Sequence, residues 1–293
     1  MAERDRPTEW LRVQLYRRMT PEQRIEIAAQ LFEDGVSIVR SSILDRDPDI
    51  SPDELQYQIR RRVLPRSVSP LCARPRSVSP RFGEAARTGG ADAGGWQPRR
   101  QAMIQGEVLF QVLDALDALE IPYVITGSFA SNYWGRPRAT HDADLVVEIP
   151  PLKAVALARR LEGEFYAPDF VLQEAAEHGG HANVIHMQQA FKVELWMRQD
   201  TPYDKERFAR RRPGTMFGRR VWVLSAEDTI LSKLLWYRAS PVSQRQLQDA
   251  VEVYEIQEPD LDQAYLEHWA TALGLSDLLS QVRAQAGPLL MTN

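Results

Sequence analysis

Hydrophobic positions follow two periods along this chain, and the period tells helix from strand. Val108, Val112, Leu113, Leu116 and Leu119 recur at helical spacing, which predicts a helix over 101–119 covering one face of a sheet. Short runs rich in β-branched residues follow. Tyr123, Val124 and Ile125 predict one strand, and a second opens at Asp142, continues through Leu145, Val146 and Val147, and stops at Pro150 and Pro151. Further strands are expected at 183–187, 191–197 and 220–224, and a helix at 151–162. After Ser225 the pattern is wholly helical, with helices at 229–238, 242–255, 260–273 and 276–286 and a cap in Ser225-Ala-Glu-Asp228. The expected fold class is α/β (α+β): a small mixed sheet over 100–224, then a C-terminal helical subdomain over 225–288.

The segment before the sheet has a different character. Thr20-Pro21-Glu22-Gln23 supplies an N-cap, a proline at the first helical position and a capping-box partner, ahead of Ile25, Ala28, Ala29, Leu31 and Phe32. Ser51-Pro52-Asp53-Glu54 repeats the device, and Val36, Ile38, Val39, Ile43 and Leu44 keep helical spacing between them. Residues 8–64 are therefore expected to form two or three helices, too few to build much of a core alone. From 65 to 99 the chain reads as a disordered linker. Pro65-Arg-Ser-Val-Ser-Pro70 recurs as Pro75-Arg-Ser-Val-Ser-Pro80, and large apolar residues are scarce.

Candidate chemistry gathers at the predicted strand ends. Asp142 and Asp144 stand two apart on a strand, so both carboxylates point the same way and can meet the same cation. Hard oxygen ligands suit Mg²⁺. Gly127-Ser128 ends the preceding strand, where a missing Cβ lets backbone amides approach a phosphate, and a helix N-terminus should follow. Glu194 interrupts the apolar run Phe191-Lys-Val-Glu-Leu-Trp196. If that strand lies beside the Asp142 strand, Glu194 completes a set of three carboxylates able to hold two ions.

These residues resemble the nucleotidyltransferase superfamily related to DNA polymerase β, whose pattern is Gly-Ser, then Asp-x-Asp, then a carboxylate on a later strand. More narrowly, Val221 to Arg238 is similar to the helix after the sheet in AbiEii-type nucleotidyltransferases, the toxin half of type IV toxin–antitoxin systems. The resemblance implies a nucleotidyltransferase fold and transfer of a nucleotide from a nucleoside triphosphate, with two Mg²⁺ ions on Asp142, Asp144 and Glu194. It also implies that Lys233 contacts the triphosphate, that Arg245 and Asp249 belong to the nucleotide site, that tRNA or another RNA is the acceptor, and that a cognate antitoxin is a partner. The chain departs from the family pattern in having Glu at the third carboxylate and Ser243-Gln-Arg-Gln where Lys-x-x-Arg-Asp is common.

Composition narrows the picture without redirecting it. A hydrophobic share of 44% over 293 residues is enough for a core, and one cysteine, Cys72, excludes an internal disulfide framework. Charges near Met1 replace the apolar stretch of a signal peptide, and no run approaches the ~20 apolar residues of a membrane span, so a cytoplasmic location is expected. A net charge of −4 argues against a generally basic nucleic-acid binder. Lys205, Arg207, Arg210, Arg211, Arg212, Arg219 and Arg220 nevertheless crowd one segment, as either a cationic rim for a phosphate backbone or a solvated hairpin. His178 and His181, in a glycine-containing loop with no third ligand, read as solvent-exposed rather than zinc-binding. His141, directly before Asp142, is either a packed residue or a substrate contact. Two rival functions stay open: a binding module that has lost catalysis, and a nucleotidyltransferase acting on a small molecule such as an antibiotic.

Overall fold

The computed structural model describes residues 6–63, 104–189, 191–240 and 243–290. The proposed linker, its Ser-Pro repeat and Cys72 lie outside them. Three helices come first: α1 (Arg6–Arg18), α2 (Pro21–Leu44) and α3 (Pro52–Val63). The capping box of α2 forms as its sequence requires, with the Thr20 hydroxyl accepting from the Gln23 amide and the Gln23 side chain accepting from the Thr20 amide.

Then come α4 (Ile104–Ala118), β1 (Tyr123–Thr126), α5 (Gly127–Trp134), β2 (Asp142–Val147) and α6 (Pro151–Leu161). They are followed by β3 (Phe165–Tyr166), α7 (Asp169–His178), β4 (His181–His186) and β5 (Lys192–Met197). Next are α8 (Pro202–Ala209), β6 (Arg212–Met216) and β7 (Arg219–Val223), and the helices α9 (Ala226–Ala239), α10 (Gln244–Gln257), α11 (Gln263–Ala272) and α12 (Ser276–Leu290) complete the described chain. The expected strands and C-terminal helices are present with ends shifted by a few residues. The elements absent from the expectation are β3, α7, α8 and β6, the last carrying Pro213 and Gly214, which read as breakers and are tolerated on a sheet edge.

The seven strands form one mixed sheet in the order β3-β4-β5-β2-β1-β7-β6. β2 runs antiparallel to β1 and parallel to β5, placing Asp144 opposite Glu194. Side chains alternate between the two faces. Ala143, Leu145, Val147, Val193 and Leu195 enter the main core. The opposite face carries Asp142, Asp144, Lys192 and Glu194, together with a small apolar cluster of Val124, Val146, Phe208 and Leu224. A second core binds α9 and α10 to α11 and α12 through Ile230, Leu234, Ala250, Leu266 and Val282.

The N-terminal helices are fastened to the sheet unit by polar as well as apolar contacts. Ile25 and Phe32 of α2 belong to the main core. The Arg24 guanidinium, 3% exposed, donates from Nε and Nη2 to the Tyr133 carbonyl at 2.9 and 2.8 Å and from Nη1 to the Tyr16 and Met19 carbonyls. It therefore satisfies a carbonyl in the last turn of α5, where a cation also meets the negative end of the helix dipole. Arg136 joins Glu9 of α1 to Glu255 of α10, at 2.6 Å to each. No helix among the described residues is long and apolar enough to cross a membrane.

Candidate active site

Gly127 turns the chain from β1 into α5 at a φ of +59°, a left-handed conformation that favours glycine. A side chain there would collide with the Asp144 carboxylate, so the glycine also lets that acid lie against the backbone at the helix start. The Ser128 hydroxyl shares a 2.7 Å hydrogen bond with the Thr140 hydroxyl, which in turn donates to Asp142 Oδ1 at 3.2 Å. The strand turn and the first aspartate are thus tied together through two hydroxyls.

Gly127, Ser128, Asp142, Asp144, Glu194, Lys233 and Arg245 all line one cavity of about 610 Å³ between the sheet face and the helices α9 and α10. That volume falls in the ordinary range of small-molecule sites. Asp249 lies behind the Lys233 wall. It accepts from Lys233 Nζ at 2.7 Å and from Arg138 Nε and Nη2 at 2.9 and 2.7 Å, a forked pairing that holds both cations in place. His141 also lines the cavity and meets the edge of Phe32 with ring centroids 5.6 Å apart.

Electrostatics differ across this space. Burial, then the charges of Asp142 and Glu194, raise the Asp144 pKa to about 6, against the opposing pull of Lys233 and the Trp196 N–H. Burial would also raise Asp249, but Lys233 and Arg138 outweigh it and hold its pKa below the ordinary value. Lys192 was missed by the sequence reading. Its ammonium is hydrogen-bonded to Glu194 Oε1 and stands 3.5 Å from Asp142 Oδ2. Period-two alternation from Glu194 would have put it on this face. Arg138 was missed too, and its partner Asp249 is 111 residues away, beyond the reach of any local pattern.

His178 and His181 are exposed, as expected, but not in a loop: one ends α7, the other opens β4 and stacks on Trp196 with centroids 4.4 Å apart. Much of the arginine-rich segment is paired within the fold. Arg207 bonds Asp204 and the Ser232 hydroxyl, Arg210 lies 3.7 Å from the centre of the Tyr265 ring, and Arg219 meets Asp114 and Asp117 at 2.7 and 2.9 Å.

Together these features define a mixed α/β protein with an acid-lined cavity beside a glycine-led helix start. A family model of Rv0078B-related antitoxins matches residues 17–86. No curated protein matches the chain. Among solved structures it is similar to an antigenic nucleotidyltransferase-like protein from Paracoccidioides brasiliensis, at 20% identity over 62% of this chain and 91% of that one, with a TM-score of 0.42. It is also similar to ANT(2'')-Ia in complex with adenylyl-2''-tobramycin, at 18% identity, 61% and 95% coverage and a TM-score of 0.36. A CCA-adding enzyme solved with ATP matches at 14% identity, 61% and 47% coverage and a TM-score of 0.30.

Proposed function

We propose that this chain is a nucleotidyltransferase of the AbiEii-like kind, moving a nucleoside monophosphate from a nucleoside triphosphate to a hydroxyl on tRNA or another RNA. The observation that carries this reading is the register of β2 against β5, which sets Asp142, Asp144 and Glu194 on one face, in the same cavity as the Gly127 turn and Lys233.

The donor set fits Mg²⁺: hard carboxylate oxygens, with the pKa of Asp144 raised first by burial and then by the charges of Asp142 and Glu194 beside it. Asp142 and Asp144 would hold the ion, with Glu194 beside them on the same sheet face. When bound, the ion would supply charge neutralisation for the phosphates and make the attacking hydroxyl more acidic.

The chain's own groups do the rest. Backbone amides at the start of α5 face the triphosphate, and Lys233 and Arg245 bring positive charge from the opposite wall. Asp249, itself held by Arg138, fixes Lys233 in place. The acceptor oxygen bonds to the α-phosphorus, the bond from that phosphorus to the bridging oxygen breaks, and pyrophosphate leaves. The hydroxyl proton would pass to one of the sheet carboxylates that line the cavity. Purified protein given Mg²⁺, bulk tRNA and each labelled nucleoside triphosphate in turn should label RNA with at least one of them, and Asp142→Asn should reduce the label to background. No label from any of the four would sink RNA modification, and label on an aminoglycoside instead would favour the small-molecule rival.

The antitoxin match gives this reading a second part: the antitoxin is carried in the same chain. Residues 17–63, the described portion of the match, include α2, which grips the C-terminal end of α5 through Arg24 and sets Phe32 against His141, the neighbour of Asp142. The segment restrains a toxic transferase in cis. Induced wild-type protein should then be tolerated by a bacterial host. Arg24→Glu should arrest growth, and adding Asp142→Asn to it should restore growth. A folded Arg24→Glu protein that the host tolerates would refute the cis restraint.

A further inference from the structure

Lys192 is the buried cation that the mechanism above does not use. The parallel register places Asp142 opposite Lys192 and Asp144 opposite Glu194, so three acids and one ammonium share a small patch of a single sheet face. The Lys192 ammonium is hydrogen-bonded to Glu194 and lies 3.5 Å from Asp142 Oδ2, which puts it between two of the three carboxylates. Its side chain is only 7% exposed. The strand that bears it is paired on both sides, to β2 and to β4, so its backbone has no slack by which to withdraw the ammonium. Among the described residues, no three His, Cys, Asp or Glu groups converge as metal ligands.

An ammonium is a compact point charge with three donors, able to satisfy carboxylates much as a cation does but with no sites for substrate oxygens. We propose that Lys192 is a resident cation filling the place of a second divalent ion. The site then takes one ion, on Asp142 and Asp144, and Glu194 binds Lys192 rather than metal. Lys192 is in this sense a positioning residue: it fixes the Glu194 carboxylate and supplies a permanent positive charge beside the phosphates. The assignment rests on the reading of these acids as an ion and nucleotide site, and it replaces the two-ion expectation with one ion.

The test titrates the full-length protein with Mn²⁺ alone, following free Mn²⁺ by electron paramagnetic resonance, so that no catalytic readout is needed. One ion should bind the wild type. Lys192→Met, of similar length but neutral, should bind two. Glu194→Gln should keep a single ion with affinity within about twofold of wild type, while Asp144→Asn should lose at least about tenfold. Circular dichroism checks the fold of each variant, and Glu194→Gln decides the matter if Lys192→Met does not fold. Two ions on the wild type, or a tenfold loss in Glu194→Gln, overturns the role of Lys192 and leaves the parent reading standing. No ion on the wild type at millimolar Mn²⁺ overturns both.

Discussion

Asp144 on the sheet wall and Asp249 on the helical wall are both largely withdrawn from water, yet the pKa of Asp144 is lifted to about 6 while that of Asp249 is held below its ordinary value. The difference lies in the company each keeps. Asp144 has two further carboxylates near it and, among the described residues, no cation bonded to it, only the Trp196 N–H at 3.4 Å and the more distant charge of Lys233. Asp249 has Lys233 and Arg138 bonded directly to it. One wall is thus short of positive charge, while on the other two cations share a single carboxylate. A site that must receive a cation and a polyanion together needs this asymmetry, because a fully neutralised sheet wall would gain little from an ion.

The largest effect that separates the walls is on stability. Asp249→Asn would leave Lys233, 4% exposed, and Arg138 beside it without their shared carboxylate. Removing one partner of a buried ion pair costs about 3–5 kcal/mol, and the urea midpoint should fall accordingly with the m-value unchanged. Asp144→Asn removes a charge that the fold already disfavours, so its midpoint should hold within about 1 kcal/mol or rise. Equal losses in the two variants would erase the distinction between the walls.

The sheet wall was far more legible in the sequence than the helical one. Asp142, Asp144 and Glu194 stand on short strands whose period-two pattern fixes which way each side chain points, and Gly127-Ser128 sits at a strand end where a tight turn is read from two residues. The pairing of β2 with β5 remained a condition, since a parallel register is set by long-range packing rather than by local pattern. On the helical wall, Lys233 and Asp249 were named through resemblance, but Arg138, which clamps Asp249 from the loop before β2, had no signal in its own neighbourhood. β6 was hidden for another reason: proline and glycine argue against a strand, and only its position at the sheet edge admits them. The helices α7 and α8 are short, and neither carries enough turns for a periodic stripe to stand out.

A smaller effect follows from pH, and its sign differs between the walls. The folded pKa of Asp144 is about 6 against an ordinary 3.8, so between those values the folded state binds more protons than the unfolded state, and the stability due to this group falls as pH rises through that window. Asp249 runs the other way: its contribution is full above the ordinary carboxylate range and is lost as pH falls through its depressed pKa. In metal-free buffer the melting temperature of the wild type should drop by a few degrees relative to Asp144→Asn as pH goes from about 4 to about 6. Added Mg²⁺ should remove that drop in the wild type only. A difference that stays flat over this range would mean that Asp144 is not held in a wall short of positive charge.

The smallest effects belong to the arginine-rich segment, and they sharpen the comparison by asking whether any other surface is as specialised as the cavity. Arg219 faces Asp114 and Asp117, which are largely exposed, so Arg219→Ala should cost less than about 1 kcal/mol. If these charges serve the fold alone, Arg219→Ala should also leave the salt dependence of RNA binding unchanged, because no phosphate contact is lost. Arg207 differs, since it lines the cavity while bonded to Asp204 and Ser232. Arg207→Ala should weaken nucleotide transfer more than it weakens RNA binding. If instead Arg219→Ala flattens the salt slope by about one unit, the cationic-rim reading returns, and the acceptor track runs along β6 and β7 rather than stopping at the cavity.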